Sequence, residues 1–314
     1  MPETNQECAL CGAPVVQRLF AAHDRLHHLP GEFWVVRCAA CGLTQTSPRP
    51  TGAALAAYYP ADYGPHRDAG DEAGGQETDA DPRSRGWLRA RFGSRRIWWT
   101  PELPPGARVL ELGSGAGLFV RHALARGWEV HALEPAAPPA ARLARDPRIH
   151  LHREHAEAID VAPGTFDAVF AWMVVEHLEN PRTVLRKVAA ALRPGGYFVF
   201  SVPNAGCWEF VLFRSRWYGL DVPRHLWHFT PQTLARLLGE CGLGVERVFH
   251  QKVLRNVTGS LDFIGHDRPA LAPLAGRLAR LLTPAWVSFG LGAALAALRQ
   301  GGRLTVVART PGPC

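Results

Sequence analysis

The segment ELGSGAG, residues 111–117, is a glycine-rich loop of the kind that lets backbone amides approach a ligand. Glycine has no Cβ, so Gly113 and Gly115 permit that close approach. A dinucleotide-binding loop, G-x-G-x-x-G, needs its third glycine for close packing behind a pyrophosphate. Here Gly117 comes one position too early, and Leu118 occupies the place of that glycine. The loop therefore favours an adenosine ligand without a pyrophosphate.

Two acidic residues accompany the loop. Glu134 ends the next predicted strand, 19 residues after Gly115, where acids of nucleotide-binding sheets reach ribose hydroxyls. Glu111, immediately before the glycines, does not suit a phosphate but suits an ammonium group or its bound water. S-adenosylmethionine carries an amino-acid group where a dinucleotide carries its pyrophosphate. The loop and the two acids together predict an S-adenosylmethionine site.

A short-chain dehydrogenase or sugar epimerase is the main alternative for such a loop. These enzymes need a Tyr-x-x-x-Lys pair to move a proton at the substrate hydroxyl. The two lysines of the chain are Lys187 and Lys252, and the residues four positions before them are Thr183 and Val248. The sequence therefore argues against this alternative.

Strands and helices alternate along the middle of the chain. The predicted strands are ARVLEL, WEVHALEP, IHLHRE, FDAVFAW and YFVFSVPN, and the helices between them include GLFVRHALARG and RTVLRKVAAALRPGG, each ended by glycine. The amphipathic helix PQTLARLLGECG, the strand VERVFHQ, a helical insert at about residues 257–300 and the strand RLTVVART follow. This alternation predicts an α/β fold with a doubly wound parallel sheet.

Four segments carry a resemblance to a known family: RVLELGSGAGLFV, the acid of ALEP, FDAVFAWMVVEHLENP and LRPGGYFVFSVPN. Their order and spacing resemble those of class I S-adenosylmethionine-dependent methyltransferases over residues 105 to about 250. The resemblance implies a seven-stranded Rossmann-like sheet whose last two strands form an antiparallel hairpin. It also implies that His155 and Ala156 flank the adenine and that Trp172 faces the methionine. The predicted cofactor-binding residues are Glu111, Gly113, Ser114, Gly115, Gly117, Glu134, Pro135, His155, Ala156 and Trp172.

Two C-x-x-C pairs, each followed by glycine, lie near the N-terminus and comprise Cys8, Cys11, Cys38 and Cys41. A tight turn after such a pair points backbone amides at the thiolates, and four thiolates complete a closed tetrahedral zinc site. The sequence thus predicts structural zinc in a small N-terminal zinc ribbon, residues 1–60. Zinc ribbons often bind nucleic acids or proteins, so a binding module attached to a methyltransferase fold is an alternative function.

Two histidines are candidates for taking a proton from an acceptor hydroxyl, because the imidazole pKa lies near neutrality. His225 and His228 precede FTPQTL, where Thr230 is predicted to cap a helix with Pro231 at its first position. Both should therefore lie in the loop after the fifth strand, over the methyl end of the cofactor, with His225 the preferred base and His228 the second candidate. The histidines between the cysteine pairs are predicted to be surface residues: His23, His27 and His28.

The segment YGLDVPRHLWHFTPQTL also resembles a motif of deoxysugar C-methyltransferases, in which a Glu-His pair precedes a helix start. His225 matches that histidine, whereas Arg224 stands where the glutamate is expected. Abstracting a carbon-bound proton depends on the complete motif, including the glutamate. The arginine at that position therefore favours methylation of oxygen over methylation of carbon. The expected acceptor is a hydroxyl of a sugar, a lipid-linked molecule or a secondary metabolite, with C-methylation of a deoxysugar as the alternative.

The composition of the 314-residue chain indicates its organisation. Residues 61–86 are rich in Gly, Asp and Glu, which predicts a flexible linker, and residues 87–314 are predicted to form the methyltransferase domain.

The net charge of +7 comes from basic residues that are almost all arginine. Such a bias is typical of GC-rich coding rather than of a selected basic surface, so it argues against a nucleic-acid partner. The N-terminus shows no secretory leader, and cysteine pairs of this kind suit a reducing compartment, so a cytoplasmic location is expected.

Residues 281–298 form an 18-residue segment without a charge, flanked by Arg277, Arg280, Arg299 and Arg303. Its length borders on that of a transmembrane helix, but a crossing would separate two strands that should pair in one sheet. Two interpretations remain: a helical hairpin buried against the core, or an element that enters the inner face of a membrane. The basic, aromatic segment WLRARFGSRRIWW supports the second, which would make the acceptor lipid-linked.

Overall fold

A small antiparallel sheet begins the chain. In this computed structural model the described residues are 7–8, 10–14, 17–60 and 98–312. The predicted linker and most of WLRARFGSRRIWW lie outside them, so the domain boundaries stay predictions. The strands of the small sheet are β1 (Gln17–Ala22), β2 (Phe33–Arg37), β3 (Thr44–Ser47) and, paired with β3, the two-residue β9 (Trp227–His228). The N-terminal sheet thus includes backbone from much later in the chain.

Seven strands form the main sheet: β4 (Arg108–Leu112), β5 (Glu129–Leu133), β6 (Ile149–His152), β7 (Phe166–Trp172), β8 (Leu192–Pro203), β10 (Gly244–His250) and β11 (Arg303–Arg309). Their order across the sheet is β6-β5-β4-β7-β8-β11-β10. Strands β4 to β8 are parallel, and β11 is antiparallel to both of its neighbours. The predicted Rossmann-like sheet with an antiparallel final pair is confirmed.

Helices connect these strands: α1 (Gly52–Ala56), α2 (Leu118–Ala125), α3 (Ala137–Leu143), α4 (Pro181–Ala191), α5 (Trp208–Phe213) and α6 (Pro231–Glu240). The predicted insert consists of α7 (Arg255–Asp267), α8 (Ala272–Leu282) and α9 (Ala285–Ala297). Thr230 caps α6 as predicted, because its hydroxyl accepts a hydrogen bond from the Thr233 N–H and Pro231 follows it.

The end of α4 differs from the prediction. The glycines of LRPGG should have ended the helix, but it ends at Ala191, and Leu192 already belongs to β8. Pro194 disfavours helical backbone at the residue before it. Leu192 also pairs with Phe166 of β7, so sheet formation takes over immediately after the helix.

One hydrophobic core joins the two sheets. Leu10 and Leu43 of the N-terminal part belong to the same buried cluster as Trp227 and Phe229. Phe198, in the centre of the main sheet, belongs to it as well. The N-terminal part therefore packs on the main sheet through buried apolar surface, the main favourable contribution to such contacts.

A buried ion bridge connects the same two parts. The Arg224 guanidinium is fully buried and donates to both carboxylate oxygens of Asp24, at 2.7 and 2.9 Å. It also donates to Asp221 at 2.6 and 3.0 Å and to the carbonyl of Tyr58 at 3.0 Å. Burial alone would lower the pKa of Arg224, but the hydrogen bonds and charges of the two aspartates outweigh burial and raise it. The bridge therefore stays fully charged.

The insert carries exposed apolar side chains. Leu281, Trp286 and Leu298 have 67%, 74% and 70% of their surface exposed. No single helix among the described residues has the length and apolar character to cross a membrane. Two consecutive helical segments reach that length and apolar character only when they are taken together: Pro269–Leu282 and Ala285–Ala297. The angle between them is 87°.

Candidate functional site

The glycine-rich loop connects β4 to α2 with backbone that only glycine adopts easily. Gly113, Gly115 and Gly117 have φ values of 66°, 49° and 72°. A Cβ on Gly113 would lie 2.7 Å from Val174 Cγ2, and one on Gly117 2.6 Å from Leu143 Cδ2. Larger residues would therefore clash with the neighbouring segments, and the loop keeps its open, amide-exposing form.

Glu134 lies against this loop, as its spacing from Gly115 predicts. One carboxylate oxygen accepts the Gly115 N–H at 2.6 Å, and the other accepts the Ala136 N–H at 2.9 Å. The buried carboxylate thus holds the loop and the start of α3 together at the ends of β4 and β5. Acids of nucleotide-binding sheets occupy this position.

Glu111 is the second acid beside the loop, and it is almost completely buried. Burial, with the nearby charge of Glu134, raises the pKa of Glu111 well above its usual value. Its Oε2 has no hydrogen-bond partner among the described residues. A buried, unsatisfied carboxylate oxygen beside a glycine loop fits a ligand that brings a positively charged donor, such as an ammonium group.

A cavity of about 1030 Å³ extends from this loop. It exceeds the range of about 300–1,000 Å³ that is typical for one small ligand, so it has room for a cofactor and an acceptor together. Of the predicted site residues, those that line it are Glu111, Gly113, Ser114, Gly115, Glu134, Pro135, His155, Ala156, Trp172 and His225. Gly117 does not line the cavity, because it forms the N-terminal cap of α2 behind the loop.

The far end of the cavity is built partly by the N-terminal part of the chain. His23 and His27 line it; His23 is exposed, as the sequence predicted, whereas His27 is half-buried. Asp24, between them, accepts the N–H groups of Leu26 and His27 and is itself held by Arg224. The ion bridge therefore fixes one wall of the cavity.

His225 lies at this end of the cavity in a defined tautomer. Its Nδ1 is 2.9 Å from the carbonyl oxygen of Gly219, which can only accept, so Nδ1 carries the proton and Nε2 the lone pair. Nε2 is 3.9 Å from a carboxylate oxygen of Glu176 and 3.9 Å from one of Asp221. Burial lowers the pKa of His225 well below its usual value, so the ring is neutral at pH 7.

Glu176 and His177 complete a cluster of buried titratable groups. Burial raises the pKa of Glu176 to about 8 and lowers the pKa of His177 to about 4. His177 Nδ1 is 3.0 Å from the Tyr59 hydroxyl and 3.1 Å from the Arg224 carbonyl, and its ring meets that of His225 edge to face at 4.6 Å. Ligand atoms of Glu176, His177 and His225 lie within 4.8 Å of one another, so this cluster could also hold a metal ion. The Glu-His pair follows β7 in the sequence, and this position predicts that each residue holds the loop rather than reacts.

The structure places His228 away from the cavity. It belongs to β9, is 1% exposed, and its Nε2 is 3.1 Å from the Thr46 hydroxyl of β3. The prediction that both histidines lie over the cofactor is therefore corrected for His228. His228 points inward because the two-residue strand β9 pairs with β3 of the N-terminal sheet. No local sequence pattern predicts this pairing.

The four predicted metal-ligand cysteines come together. Their Sγ atoms lie within 4.8 Å of one another, with Cys8 to Cys41 at 3.4 Å and Cys11 to Cys38 at 3.5 Å. The two turns match, because the Gly12 N–H donates to the Cys8 carbonyl and the Gly42 N–H donates to the Cys38 carbonyl. Four thiol groups at such spacings suit a tetrahedral ion with metal–sulfur bonds of about 2.3 Å.

A family model described as "Methyltransferase domain" matches residues 87–248, which is half of the chain. The ubiquinone biosynthesis O-methyltransferase of Xanthomonas axonopodis pv. citri (strain 306) is 30% identical over 158 residues, covering 46% of this chain and 66% of that relative. The corresponding enzyme of Nitrobacter winogradskyi is 33% identical over 156 residues, covering 45% and 58%. The chain thus spans less than two thirds of these relatives' length.

Solved structures with a similar sheet include an S-adenosylmethionine-dependent methyltransferase from Mesorhizobium loti, with 21% identity and a TM-score of 0.46 over 69% of this chain and 98% of that one. Another is the Burkholderia thailandensis 1,6-didemethyltoxoflavin-N1-methyltransferase, with 19% identity and a TM-score of 0.49. The match covers 91% of this chain and 98% of that one. From its family match, sheet order and loop, the chain belongs to the methyltransferase-domain family. Its sheet order and glycine loop are those that the resemblance to class I S-adenosylmethionine-dependent methyltransferases implies.

Proposed function

We propose that the protein methylates a hydroxyl group of a small-molecule acceptor, with His225 as the general base. The observation that carries this proposal is the state of His225 at the acceptor end of the cavity. Its Nδ1 proton is committed to the Gly219 carbonyl, which leaves the Nε2 lone pair beside two carboxylates. The relatives named O-methyltransferases support oxygen as the acceptor atom.

At the cofactor end of the cavity, the residues that line it would hold S-adenosylmethionine. Glu134 would face the ribose hydroxyls, His155 and Ala156 would flank the adenine, and Trp172 would face the methionine. Glu111 offers its unsatisfied oxygen to the ammonium group. When bound, S-adenosylmethionine supplies an activated methyl group with a sulfide leaving group. The protein therefore contributes chiefly alignment and exclusion of water.

Proton removal is the step that this chain's own residues perform. As the acceptor oxygen displaces the sulfide from the methyl carbon, its proton would pass to His225 Nε2. The Asp221 carboxylate, 3.9 Å from Nε2, would stabilise the imidazolium that results, whereas burial raises the pKa of Glu176 to about 8 and keeps that group largely neutral at pH 7. C-methylation is disfavoured because Arg224, where a glutamate is expected for that reaction, is enclosed by the two aspartates.

Replacing the base should abolish turnover without affecting the cofactor. We expect His225→Ala to lower transfer of labelled methyl groups into an acceptor-containing metabolite extract by about a hundredfold or more, the usual contribution of a general base. Calorimetry should give unchanged affinity for S-adenosylmethionine, and the exposed-site control His266→Ala should retain activity. Loss of cofactor binding by His225→Ala, or full activity, would show that this histidine is not the base.

The four cysteines are proposed to hold a structural zinc ion. All four positions around a tetrahedral metal would be taken by thiolates, so no position remains for a substrate. The zinc would fix the two matched turns of the N-terminal part, which also supplies a wall of the acceptor cavity.

Metal analysis of the purified chain should give about one zinc per molecule. Cys38→Ser should lower this value and the melting temperature, because metal binding and folding of such a site are coupled. Cys241→Ser is the matched control, since Cys241 is buried but lies outside the cluster. Equal zinc content in the two variants would refute the assignment.

We also propose that the insert docks on an anionic membrane surface and that the acceptor is then lipid-linked. Most of the large apolar side chains exposed among the described residues lie on α8 and α9 or beside them, including Leu281 and Trp286. Arg277, Arg280 and Arg299 surround them and are exposed. An apolar ridge edged by arginines is the arrangement that binds at the headgroup level of anionic bilayers.

Vesicle flotation tests this surface. The wild-type protein should float with vesicles containing anionic lipid, whereas Leu281→Ser combined with Trp286→Ser should largely remain in solution. Trp34→Ser removes a comparably large side chain from the N-terminal sheet and should still float. If the double variant floats as well as the wild type, the insert is not the membrane contact and the acceptor is a free small molecule.

A further inference from the structure

A further group of side chains that could hold a metal ion lies on strands β5 and β6 of the main sheet. His131 and His150 are paired in the register of these parallel strands. Alternate residues of a strand share a face, so Glu129 and His152 lie on the same face as this pair. The ring centroids of His131 and His150 are 4.6 Å apart, and those of His131 and His152 5.3 Å.

A chain of hydrogen bonds determines which nitrogen of His131 is free. His152 Nδ1 lies 3.5 Å from a carboxylate oxygen of Glu154, which favours a proton on that nitrogen. His152 Nε2 then accepts a hydrogen bond from His131 Nδ1, 3.0 Å away. The remaining nitrogen, His131 Nε2, carries a lone pair.

That lone pair faces two further ligand atoms. Glu129 Oε1 is 3.6 Å from His131 Nε2 and 3.8 Å from His150 Nε2, and all three atoms lie within 4.8 Å of one another. Arg108 donates to the other oxygen of Glu129 at 3.0 Å and thereby orients the carboxylate.

We propose that Glu129, His131 and His150 bind a divalent transition-metal ion of the nickel, copper or zinc type. Two imidazole nitrogens and one carboxylate oxygen suit these ions better than magnesium or calcium. His152 and Glu154 act behind them, because a ligating histidine normally donates its other N–H to a fixed acceptor. A bound ion would link β5 to β6, the two strands that lead to Glu134 and to His155.

Calorimetric titration of the tag-free, zinc-loaded full-length protein with NiCl₂ tests this site. One nickel ion should bind per chain without release of zinc. His150→Ala should abolish binding with little risk to the fold, since this side chain is 56% exposed. Glu154→Gln should weaken binding by about tenfold, as changes behind a metal ligand do.

His266→Ala is the matched control, because His266 forms the other exposed histidine pair with His28, at 5.5 Å between rings. It should bind nickel as the wild type does. Wild-type affinity in His150→Ala would overturn the proposal, as would loss of binding in His266→Ala, release of zinc on nickel addition or a wild-type protein that binds no nickel. These results are independent of methyl transfer, so they leave the proposed function untouched.

Discussion

The ion bridge from Arg224 to Asp24 and Asp221 is the interaction on which the acceptor end of the cavity depends. A guanidinium with no exposed surface is stable only when its charge and its donors are satisfied, and here two carboxylates and a carbonyl satisfy them. Asp24 belongs to the N-terminal part, whereas Arg224 and Asp221 belong to the segment before α6. The bridge therefore brings two regions 200 residues apart in sequence against one cavity.

The position of His225 follows from this bridge. It is the next residue after Arg224, its N–H donates to the Asp221 carbonyl, and its ring is fixed through Gly219. The same burial that protects the bridge from water keeps His225 and His177 neutral and keeps Glu176 largely protonated at pH 7. Neutral groups at the end of a water-poor cavity are suited to accepting a proton from a hydroxyl.

Short-range patterns in the sequence predicted the parts of the molecule whose partners are close in sequence or follow the sheet. The glycine loop, Glu134 and the two cysteine turns are of this kind, since backbone geometry fixes each within a few residues or across one pair of strands. The parallel direction of the first five strands was likewise predictable, because helices between strands favour parallel pairing, whereas the seven-stranded sheet with its antiparallel final pair was implied by the family resemblance.

Contacts between residues far apart in the sequence account for the site residues whose placement differs from the prediction. His228 turns inward because β9 pairs with β3, some 180 residues earlier. No pattern in the sequence identifies Thr46 as the hydrogen-bond partner of its ring. His23 and His27 line the cavity on either side of Asp24, which binds Arg224 from a segment 200 residues later. In the sequence, Arg224 stands out only because it replaces the glutamate of the deoxysugar C-methyltransferase motif. Its role in the ion bridge depends on Asp24, which no sequence pattern identifies as its partner.

Equilibrium unfolding of Arg224→Met tests the account most directly. Removing the guanidinium leaves two carboxylates facing each other in a buried site, and breaking such a pair costs about 3–5 kcal/mol of unfolding free energy. Arg148→Met, which removes one member of an exposed pair with Asp146, should cause no measurable change. The account predicts a large loss for the first variant only. An Arg224→Met protein as stable as the wild type would contradict the view that this bridge holds the N-terminal part against the acceptor cavity.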